Sequence, residues 1–420
     1  MTTGEPQLPP YTAAASTATA AAASPAQPTR QARRLRAILS LEDFEAAARR
    51  ILPRPIFGYV AGGVETDASL RANRAVWDDL AFLPRALIDT SARTQTTTLF
   101  GRSYSAPFGI APMGGSSMAA YRGDLVLAQA AARANIPMIL SGAALTPLEQ
   151  VGEAAVGSWF QAYLPGEQQA IEALVERARQ ANYDTFVLTV DVQVTANREN
   201  NVRNGFHSPL RPTPRLAYHS LMRPRWLIGI LLRTLLTQGM PYYENMGPRV
   251  PLISRSAERS SGRRDKLTWQ HVALIRRLWP GRLVLKGILD PNDARSARDH
   301  GVDGVIVSNH GGRQLDGAVA ALRALPAIAA QAGSMTVMLD SGVRRGTDVL
   351  KALGLGAKFV FIGRPFLYAA TLAGEPGVCH AIALLRAEID RDMAFLGIQS
   401  VAEMRRDLLT NARDNLLPHA

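Results

Sequence analysis

Short apolar runs alternate with helical patterns along the chain from residue 106 onward. Eight runs are about as long as a strand, are rich in Val, Ile, Leu or Phe, and are flanked by Gly or Pro, which is typical of buried strands. They cover residues 108–112, 137–141, 158–161, 185–191, 283–286, 304–309, 336–340 and 359–363. The spacing of apolar residues between them predicts helices, for example over 124–135, 167–181, 269–279 and 290–300.

Eight strands that are each followed by a helix predict a (β/α)8 barrel, the TIM-barrel form of the α/β class. The alternative is a doubly wound parallel sheet that binds a dinucleotide. Such a sheet carries G-x-G-x-x-G after its first strand, and this sequence lacks that motif. The pattern therefore favours the barrel and speaks against a nicotinamide cofactor.

A long insertion over residues 201–264 follows the fourth predicted strand, where a short connection is the norm. It holds eleven Arg against Glu244 and Glu258, which is most of the chain's net charge of +12. It also holds an apolar run over 226–232. A basic segment with an apolar stripe is typical of a monotopic contact with a membrane surface. A loop over the barrel mouth and an oligomer contact are the alternatives. Nucleic acid is disfavoured because no binding motif is present.

The first 29 residues are rich in Ala, Thr and Pro, and Glu5 is their only charge. They lack the basic start and Leu-rich run of a signal peptide, so we predict a disordered tail over 1–38 and a domain over 39–420. The sequence contains no stretch of 18 apolar residues, so we expect no helix that spans a bilayer. The single cysteine, Cys379, excludes an internal disulfide and a Cys-based metal site, and we expect a packed thiol in a helix.

The most informative motif follows the sixth strand, where the sequence reads Ser-Asn-His-Gly-Gly-Arg-Gln-Leu-Asp over 308–316. The active sites of these barrels lie at the carboxyl ends of the strands. His310 can exchange a proton near pH 7, and Arg313 offers a fork for a carboxylate. A lone His is more often structural, but a His and an Arg around two glycines at a strand end favour a catalytic role.

Three charged residues follow neighbouring strands. Asp191 ends the fourth strand and can face His310 across the barrel mouth, where it would stabilise an imidazolium. Arg198 follows in the same loop and could supply a second positive charge to a substrate carboxylate. Lys286 ends the fifth strand, where burial requires an anionic partner. It could form a Schiff base, or it could lie beside a cofactor that becomes anionic.

Two glycine–arginine loops follow the seventh and eighth strands, over 340–346 and 363–365. Barrels commonly bind phosphate at these positions. Glycine lets backbone N–H groups approach an anion, and Arg adds charge. The two loops together predict a phosphorylated cofactor or substrate.

Together these residues resemble the FMN-dependent 2-hydroxyacid dehydrogenase/oxidase family, from about residue 41 to residue 408. The resemblance implies an FMN cofactor and the oxidation of an L-2-hydroxy acid to a 2-keto acid. It makes His310 the proton acceptor, paired with Asp191. It assigns the substrate carboxylate to Arg198 and Arg313. The remaining substrate contacts it implies are Tyr59 and Tyr163.

The same resemblance implies a set of flavin contacts. The ring would lie against Pro112, Met113 and Gly114. Its polar edge would contact Ser141, Gln161, Thr189 and Ser308, with Lys286 near the N1–C2 edge of the flavin. The phosphate would be held by Asp340, Ser341, Gly342, Val343, Arg344, Gly363 and Arg364. No metal ligand set is implied.

Two small residues bear on the substrate, since Gly114 and Ala143 leave room for a side chain, as in family members that act on lactate or mandelate. Met113 and Ala162 depart from common family residues. The insertion resembles the membrane segment of bacterial members, which implies a protein peripheral to the inner face of the cell membrane, in the cytoplasm. A membrane quinone as electron acceptor and a homotetramer are further expectations. The alternatives are an oxidase that uses oxygen, a Schiff-base lyase that uses Lys286, and an inactive membrane-binding scaffold.

Overall fold

A computed structural model describes residues 30–164, 166–256 and 264–412. Its centre is an eight-stranded parallel sheet in which consecutive strands are neighbours. The strands are β1 Phe108–Ile110, β2 Ile139–Ser141, β3 Trp159–Ala162, β4 Thr185–Thr189, β5 Arg282–Ile288, β6 Gly304–Val307, β7 Thr336–Leu339 and β8 Phe359–Ile362. A parallel bridge between Ile110 and Met138 joins β1 to β2 and closes the barrel. The predicted fold class is confirmed.

Each of the eight predicted runs overlaps one barrel strand. Five strands end earlier than their predicted runs, so the last residues of those runs lie in the loops at the barrel mouth, whereas Trp159–Ala162 and Arg282–Ile288 extend past theirs. The predicted helices are also present, as Gly123–Arg133, Gln168–Gln180, Trp269–Leu278 and Pro291–Asp299. The Asp290 side chain accepts a hydrogen bond from the backbone N–H of Asn292 and so caps the last of these helices.

The strands are apolar along their length because both of their faces are buried. One face points into the barrel, where side chains from alternate strands form a separate cluster that includes Val187, Val284 and Ile306. The other face packs against the surrounding helices in the main core. A hairpin of Thr97–Leu99 and Arg102–Tyr104 closes the amino-terminal end of the barrel. The hairpin therefore covers one end of the barrel, and the candidate site has to be sought at the other end, where the strands finish.

The other helices surround the barrel or precede it. Those that follow barrel strands are Ser116–Ala119, Leu148–Ala154, Ala321–Gln331, Gly346–Gly354, Arg364–Ala373 and Glu375–Leu396. Those before β1 are Arg30–Arg36, Asp43–Arg49, Arg54–Ala61 and Ala68–Ala75. Short 3-10 turns cover Val76–Asp79, Val401–Glu403 and Arg406–Leu408, and Leu80–Phe82 pairs with Leu409–Asn411.

Most of the predicted tail, residues 1–29, lies outside the described residues. The structure describes its last part as the helix Arg30–Arg36, and Ile38 is buried in the main core. The folded part of the chain therefore begins earlier than the predicted boundary at residue 38. Cys379 is a free thiol in the helix Glu375–Leu396, half-buried against the core.

The insertion is mainly helical. It contains the helices Glu199–Asn204 and Pro214–Leu221, and then one continuous helix made of Pro224–Trp226, a π-helical stretch Leu227–Leu232, and Arg233–Gln238. A two-stranded ladder of Tyr242–Tyr243 and Val250–Pro251 follows. Within the described ranges, no helix is both long enough and apolar enough to cross a membrane.

Candidate active site

A cavity of about 480 Å³ lies at the carboxyl ends of the barrel strands, which is where barrel enzymes have their active sites. It is lined by all but four of the residues that the sequence predicted for the site, namely Tyr59, Pro112, Met113, Gly114, Tyr163, Thr189, Arg198, Lys286, His310, Arg313, Asp340, Ser341, Gly342, Val343, Arg344, Gly363 and Arg364.

The four others lie behind the cavity wall, where each bonds to a residue that lines it. Asp191 bonds to His310, and Ser308 accepts a hydrogen bond from Lys286. Ser141 and Gln161 accept hydrogen bonds from the backbone N–H groups of Ala143 and Gly142, respectively. The structure thus brings all of the predicted site residues to one end of the barrel.

His310 and Asp191 form a close pair. The imidazole Nδ1 lies 2.9 Å from Asp191 Oδ1, and the two side chains are only 18% and 13% exposed. His310 has a φ of +58°, a left-handed conformation that non-glycine residues adopt at some energetic cost and mainly at functional sites. Its backbone N–H donates to Ser308 Oγ at 3.0 Å. The loop therefore holds the ring in one orientation, with Nε2 available for a substrate.

The environment keeps His310 neutral and Asp191 charged. Burial lowers the pKa of His310 below its ordinary value, and the charge of Asp191 only partly offsets this. Burial alone would raise the pKa of Asp191, but its electrostatic interaction and hydrogen bond with His310 and the nearby charge of Lys286 lower it overall. A neutral imidazole with a carboxylate behind it is arranged to accept a proton and to stabilise the resulting imidazolium.

Arg313 and Arg198 supply positive charge next to His310. Arg313 Nη1 donates to the carbonyl of Gly62 at 2.7 Å, and its guanidinium lies 5.1 Å from the Tyr59 ring centroid. Burial and the charge of Arg198 lower the pKa of Arg313 to about 9, so it is still cationic at neutral pH. Arg198 Nη2 donates to Gln314 Oε1 at 2.5 Å. Neither arginine forms a salt bridge with a carboxylate of the described residues, so a bound anion would neutralise them.

Tyr163 approaches the other ring nitrogen of the histidine. Its hydroxyl lies 3.4 Å from His310 Nε2. The tyrosine is buried deeply enough that its pKa is raised, so it is neutral. The Tyr59 hydroxyl donates to the carbonyl of Gly114 at 3.4 Å. Both predicted substrate tyrosines therefore lie in the cavity, and the hydroxyl group of Tyr163 is next to the catalytic histidine.

Lys286 is the buried cation that the sequence placed at the end of β5. Its Nζ lies 3.1 Å from Asp340 Oδ2 and donates to Ser308 Oγ at 2.9 Å. Burial alone would lower the pKa of Lys286, but the charges of Asp340 and Asp191 raise it overall. A Schiff base needs a neutral amine, so this ion pair disfavours the lyase interpretation and favours a fixed positive charge.

The loop after β7 is tied to the histidine loop. Ser341 Oγ donates to Asp340 Oδ1 at 2.9 Å and accepts the backbone N–H of Gly311 at 3.0 Å. Gly342 has a φ of +85°, and a Cβ there would lie 2.0 Å from the carbonyl oxygen of Asn73. Only glycine is compatible with this turn, which places Val343 and Arg344 at the cavity.

The predicted phosphate end of the cavity is strongly cationic. Burial and the charge of Arg364 lower the pKa of Arg344 to about 10. Arg364 donates to three backbone carbonyls, those of Val60, Gly62 and Gly311. Its helix, Arg364–Ala373, begins directly after Gly363 and directs its N-terminal N–H groups toward this end. Two half-buried guanidinium groups and a helix N-terminus suit a dianionic phosphate.

The residues expected at the polar edge of the flavin leave buried atoms unsatisfied. Gln161 Nε2 and Thr189 Oγ1 are buried and have no hydrogen-bond partner among the described residues, and the same holds for Asp191 Oδ2 of the catalytic pair. Such atoms are costly unless a ligand or water bonds to them. The nitrogen and oxygen atoms of an isoalloxazine edge could do this, so the residues present fit FMN. The described residues contain no cluster of side chains that could hold a metal ion.

The insertion adds residues to the site that sequence reasoning missed. Phe206 stacks on Tyr59 with ring centroids 4.2 Å apart. Asn245 is buried and accepts the backbone N–H of Leu148 at 2.9 Å, which places Met246 in the cavity wall. Arg264 also lines the cavity. In the sequence, an Asn between Tyr243 and Met246 is only a weak indication of a site residue. Nothing in the local sequence pattern marks Phe206 or Arg264 as part of the site.

The comparisons with known proteins agree with this geometry. The family model described as FMN-dependent dehydrogenase matches residues 48–411. An L-lactate dehydrogenase of Ectopseudomonas mendocina is 38% identical over 90% of this chain and all of the relative. An (S)-mandelate dehydrogenase of Pseudomonas putida is 35% identical over 89% of this chain and 94% of the relative.

Solved structures show the same likeness. The monotopic membrane protein (S)-mandelate dehydrogenase superposes with a TM-score of 0.81 at 34% identity, over 89% of this chain and 99% of the other. A mandelate oxidase variant superposes with a TM-score of 0.74 at 34% identity, over 89% and 98% of the two chains. The family match spans the barrel and every residue of the described cavity, and the chain therefore belongs to the FMN-dependent dehydrogenase family.

Proposed function

We propose that this protein oxidises an L-2-hydroxy acid, of the class that includes lactate and mandelate, to the 2-keto acid. The observation that carries the proposal is the convergence of a neutral imidazole, backed by Asp191, with Arg198 and Arg313 in one cavity. A carboxylate held by the two guanidinium groups would bring the neighbouring CH–OH group of the substrate to His310. The names of the relatives, which include lactate and mandelate dehydrogenases, support the same class.

The chain's own residues then have distinct roles. His310 Nε2 accepts a proton from the substrate, and Asp191 stabilises the imidazolium. Arg198 and Arg313 bind the carboxylate, while Tyr59 and Tyr163 bond to the substrate oxygens. FMN supplies the two-electron acceptor when it is bound.

Different residues of the cavity would bind the ring, the polar edge and the phosphate of FMN. Pro112, Met113 and Gly114 would support the ring, with Ser141, Gln161, Thr189 and Ser308 at its polar edge. The fixed charge of Lys286 would stabilise a negative charge on the ring. The phosphate would lie among the loop residues Asp340, Ser341, Gly342, Val343 and Arg344 and the helix start at Gly363 and Arg364.

The residues nearest the predicted ring face leave room for a substrate side chain. A Cβ on Gly114 would lie 2.8 Å from the Cβ of Ala143, so the two small residues are in close contact. Larger side chains here would occupy the cavity. This supports substrates larger than glycolate.

Anaerobic flavin reduction tests the reaction. Purified protein should carry an FMN spectrum that bleaches on addition of lactate or mandelate in the absence of oxygen. Protein that carries no flavin, or flavin that keeps its absorbance with every hydroxy acid in the panel, would contradict the proposal. Reoxidation of the bleached enzyme by a soluble quinone or by oxygen then distinguishes a dehydrogenase from an oxidase.

We also propose that the insertion binds the surface of the cell membrane from the cytoplasmic side and that the electron acceptor is a membrane quinone. Its long helix packs against the barrel through Trp226 and Ile230, and Trp226 Nε1 donates to the carbonyl of Met118 at 2.7 Å. Its opposite face carries Ile228 and Leu236, which are 63% and 86% exposed. One helix thus has two apolar faces, of which only one is covered.

Positive charge lies close to this face along the chain, since Arg215, Arg225 and Arg233 are exposed. Exposed apolar side chains among arginines suit an anionic lipid surface, and the relative described as a monotopic membrane protein supports this.

Co-sedimentation with lipid vesicles tests the proposed membrane contact. The full chain should bind vesicles that contain anionic lipid, and an Ile228→Ser, Leu236→Ser double variant should lose that binding. Equal binding of the variant and the parent would contradict the proposal.

The family resemblance further implies a homotetramer, which we propose for the protein in solution. Sedimentation velocity of the FMN-loaded protein would show a species of four chains. A monomer at micromolar concentration would contradict this.

A further inference from the structure

The ring of Tyr59, one of the two substrate tyrosines, is covered by a side chain of the insertion. Phe206 is 6% exposed and stacks on this ring, with the centroids 4.2 Å apart and the planes at only 15° to each other. Tyr59 itself is half-buried, and the hydrogen bond from its hydroxyl to the carbonyl of Gly114 is long, at 3.4 Å. The direction of the hydroxyl therefore depends on the contacts that hold the ring.

The backbone of Phe206 is fixed independently of that stack. The helix Glu199–Asn204 ends at Gly205, which has the left-handed φ of +74° that is common at helix ends. The backbone N–H of Phe206 then donates to the carbonyl of Asn201 at 2.8 Å. Because this turn ties Phe206 to its own helix, the phenyl ring can act as a fixed surface for its partner.

The same helix is joined to the helix that carries Tyr59. Asn200 Nδ2 donates to the carbonyl of Gly58 at 2.6 Å, and Arg54 Nε donates to Asn204 Oδ1 at 2.8 Å. A Cβ on Gly58 would lie 2.5 Å from Asn204 Nδ2, so this buried amide keeps its place because residue 58 has no side chain. The two backbones are thus held together by hydrogen bonds, and Phe206 extends the contact to the side chain that enters the cavity.

We propose that Phe206 is a positioning residue for substrate binding, which holds the Tyr59 ring so that its hydroxyl can bond to a substrate oxygen. The inference rests on the proposed 2-hydroxy acid oxidation, in which Tyr59 contacts the substrate. Phe206 has no polar side-chain atom and is not among the residues that line the cavity, so it acts through Tyr59. A side chain that is already ordered loses less conformational entropy when it binds a ligand. Loss of the stack should therefore weaken substrate binding more than it slows the chemical step.

Anaerobic flavin reduction at increasing substrate concentration separates these two effects. The hydroxy acid that bleaches the parent fastest gives a half-saturation concentration and a limiting rate. We expect Phe206→Leu to raise the half-saturation concentration by about three- to tenfold, the cost of ordering one side chain, and to change the limiting rate by less than about twofold. Phe206→Tyr keeps an aromatic face and should bind the substrate as the parent does.

Phe57→Leu is the matched control. Phe57 lies in the same helix as Tyr59, is 8% exposed, and stacks on Tyr368, which does not line the cavity. The control therefore removes a similarly buried phenyl ring from a stack with another tyrosine. It should keep the half-saturation concentration of the parent.

Removal of the Tyr59 hydroxyl distinguishes positioning from a merely structural role. Tyr59→Phe should itself raise the half-saturation concentration, and Phe206→Leu added to it should have little further effect, because no hydroxyl is left to orient. An unchanged value in Phe206→Leu would overturn the inference. An equal rise in Phe57→Leu, or a full further rise in the Tyr59→Phe background, would overturn it as well. If no hydroxy acid bleaches the flavin of the parent, the proposed function itself fails.

Discussion

The barrel mouth and the insertion are both rich in arginine, yet they place it in opposite environments. At the mouth, Arg313 and Arg344 are held among backbone carbonyls, and burial lowers their pKa to about 9 and about 10. In the insertion, Arg215 and Arg233 are exposed. A buried cation needs an anion in a fixed place to offset its desolvation, whereas an exposed cation acts through its field on a broad surface. The first environment indicates ligand binding and the second indicates a surface contact.

Replacement of the catalytic base should have the largest effect. We expect His310→Gln to retain FMN but to slow anaerobic bleaching by about 100- to 10,000-fold, the usual contribution of a general base. The matched control is His219→Gln in the insertion, which should change the rate less than twofold. Stopped-flow absorbance measures both. A normal rate in His310→Gln, or an equal loss in the control, would remove the functional distinction between the two regions.

The arginines of the two regions should differ in the same way. Arg313→Lys keeps the charge but loses the planar fork that binds a carboxylate through two bonds, so we expect KM to rise by about 10- to 100-fold. Arg215→Lys in the insertion should leave KM unchanged. Steady-state kinetics with an artificial acceptor measures KM for both. Similar KM values in the two variants would show that burial of Arg313 does not serve substrate binding.

The pH profile should report the pairing of His310. Because burial lowers the pKa of His310, the base stays neutral and active below its ordinary pKa of 6.5, and kcat/KM falls only as the pH drops through the lowered value. Asp191 raises the pKa of His310. Asp191→Asn should therefore move this acid limb to lower pH and also reduce the plateau, since the imidazolium loses its partner. A limb that moves to higher pH would contradict the assigned pair.

How far sequence reasoning reached also differs between the two regions. The strands and most of the site followed from the pattern, because parallel strands buried on both faces are apolar and their ends carry the chemistry. His310, Lys286 and Asp340 could be placed at strand ends without a structure. The contacts of the insertion could not, because the stacking of Phe206 on Tyr59 joins segments that no periodicity relates. The position of Arg264 over Tyr163 depends on the same long-range folding.

The smallest effect should come from the exposed face of the insertion. Leu236 is 86% exposed, so Leu236→Ser should change the free energy of unfolding by no more than about 0.5 kcal/mol and should leave flavin reduction unchanged. Trp226 is buried and donates to the carbonyl of Met118, so Trp226→Ala should destabilise the protein by about 3–5 kcal/mol. Urea denaturation of the FMN-loaded protein measures both. A large loss for Leu236→Ser would mean that this face is covered in solution by another chain, because an apolar side chain stabilises a fold only where it is removed from water. If Leu236→Ser has nearly the same free energy of unfolding as the parent but no longer binds vesicles, then the helix uses one face for folding and the other for the membrane.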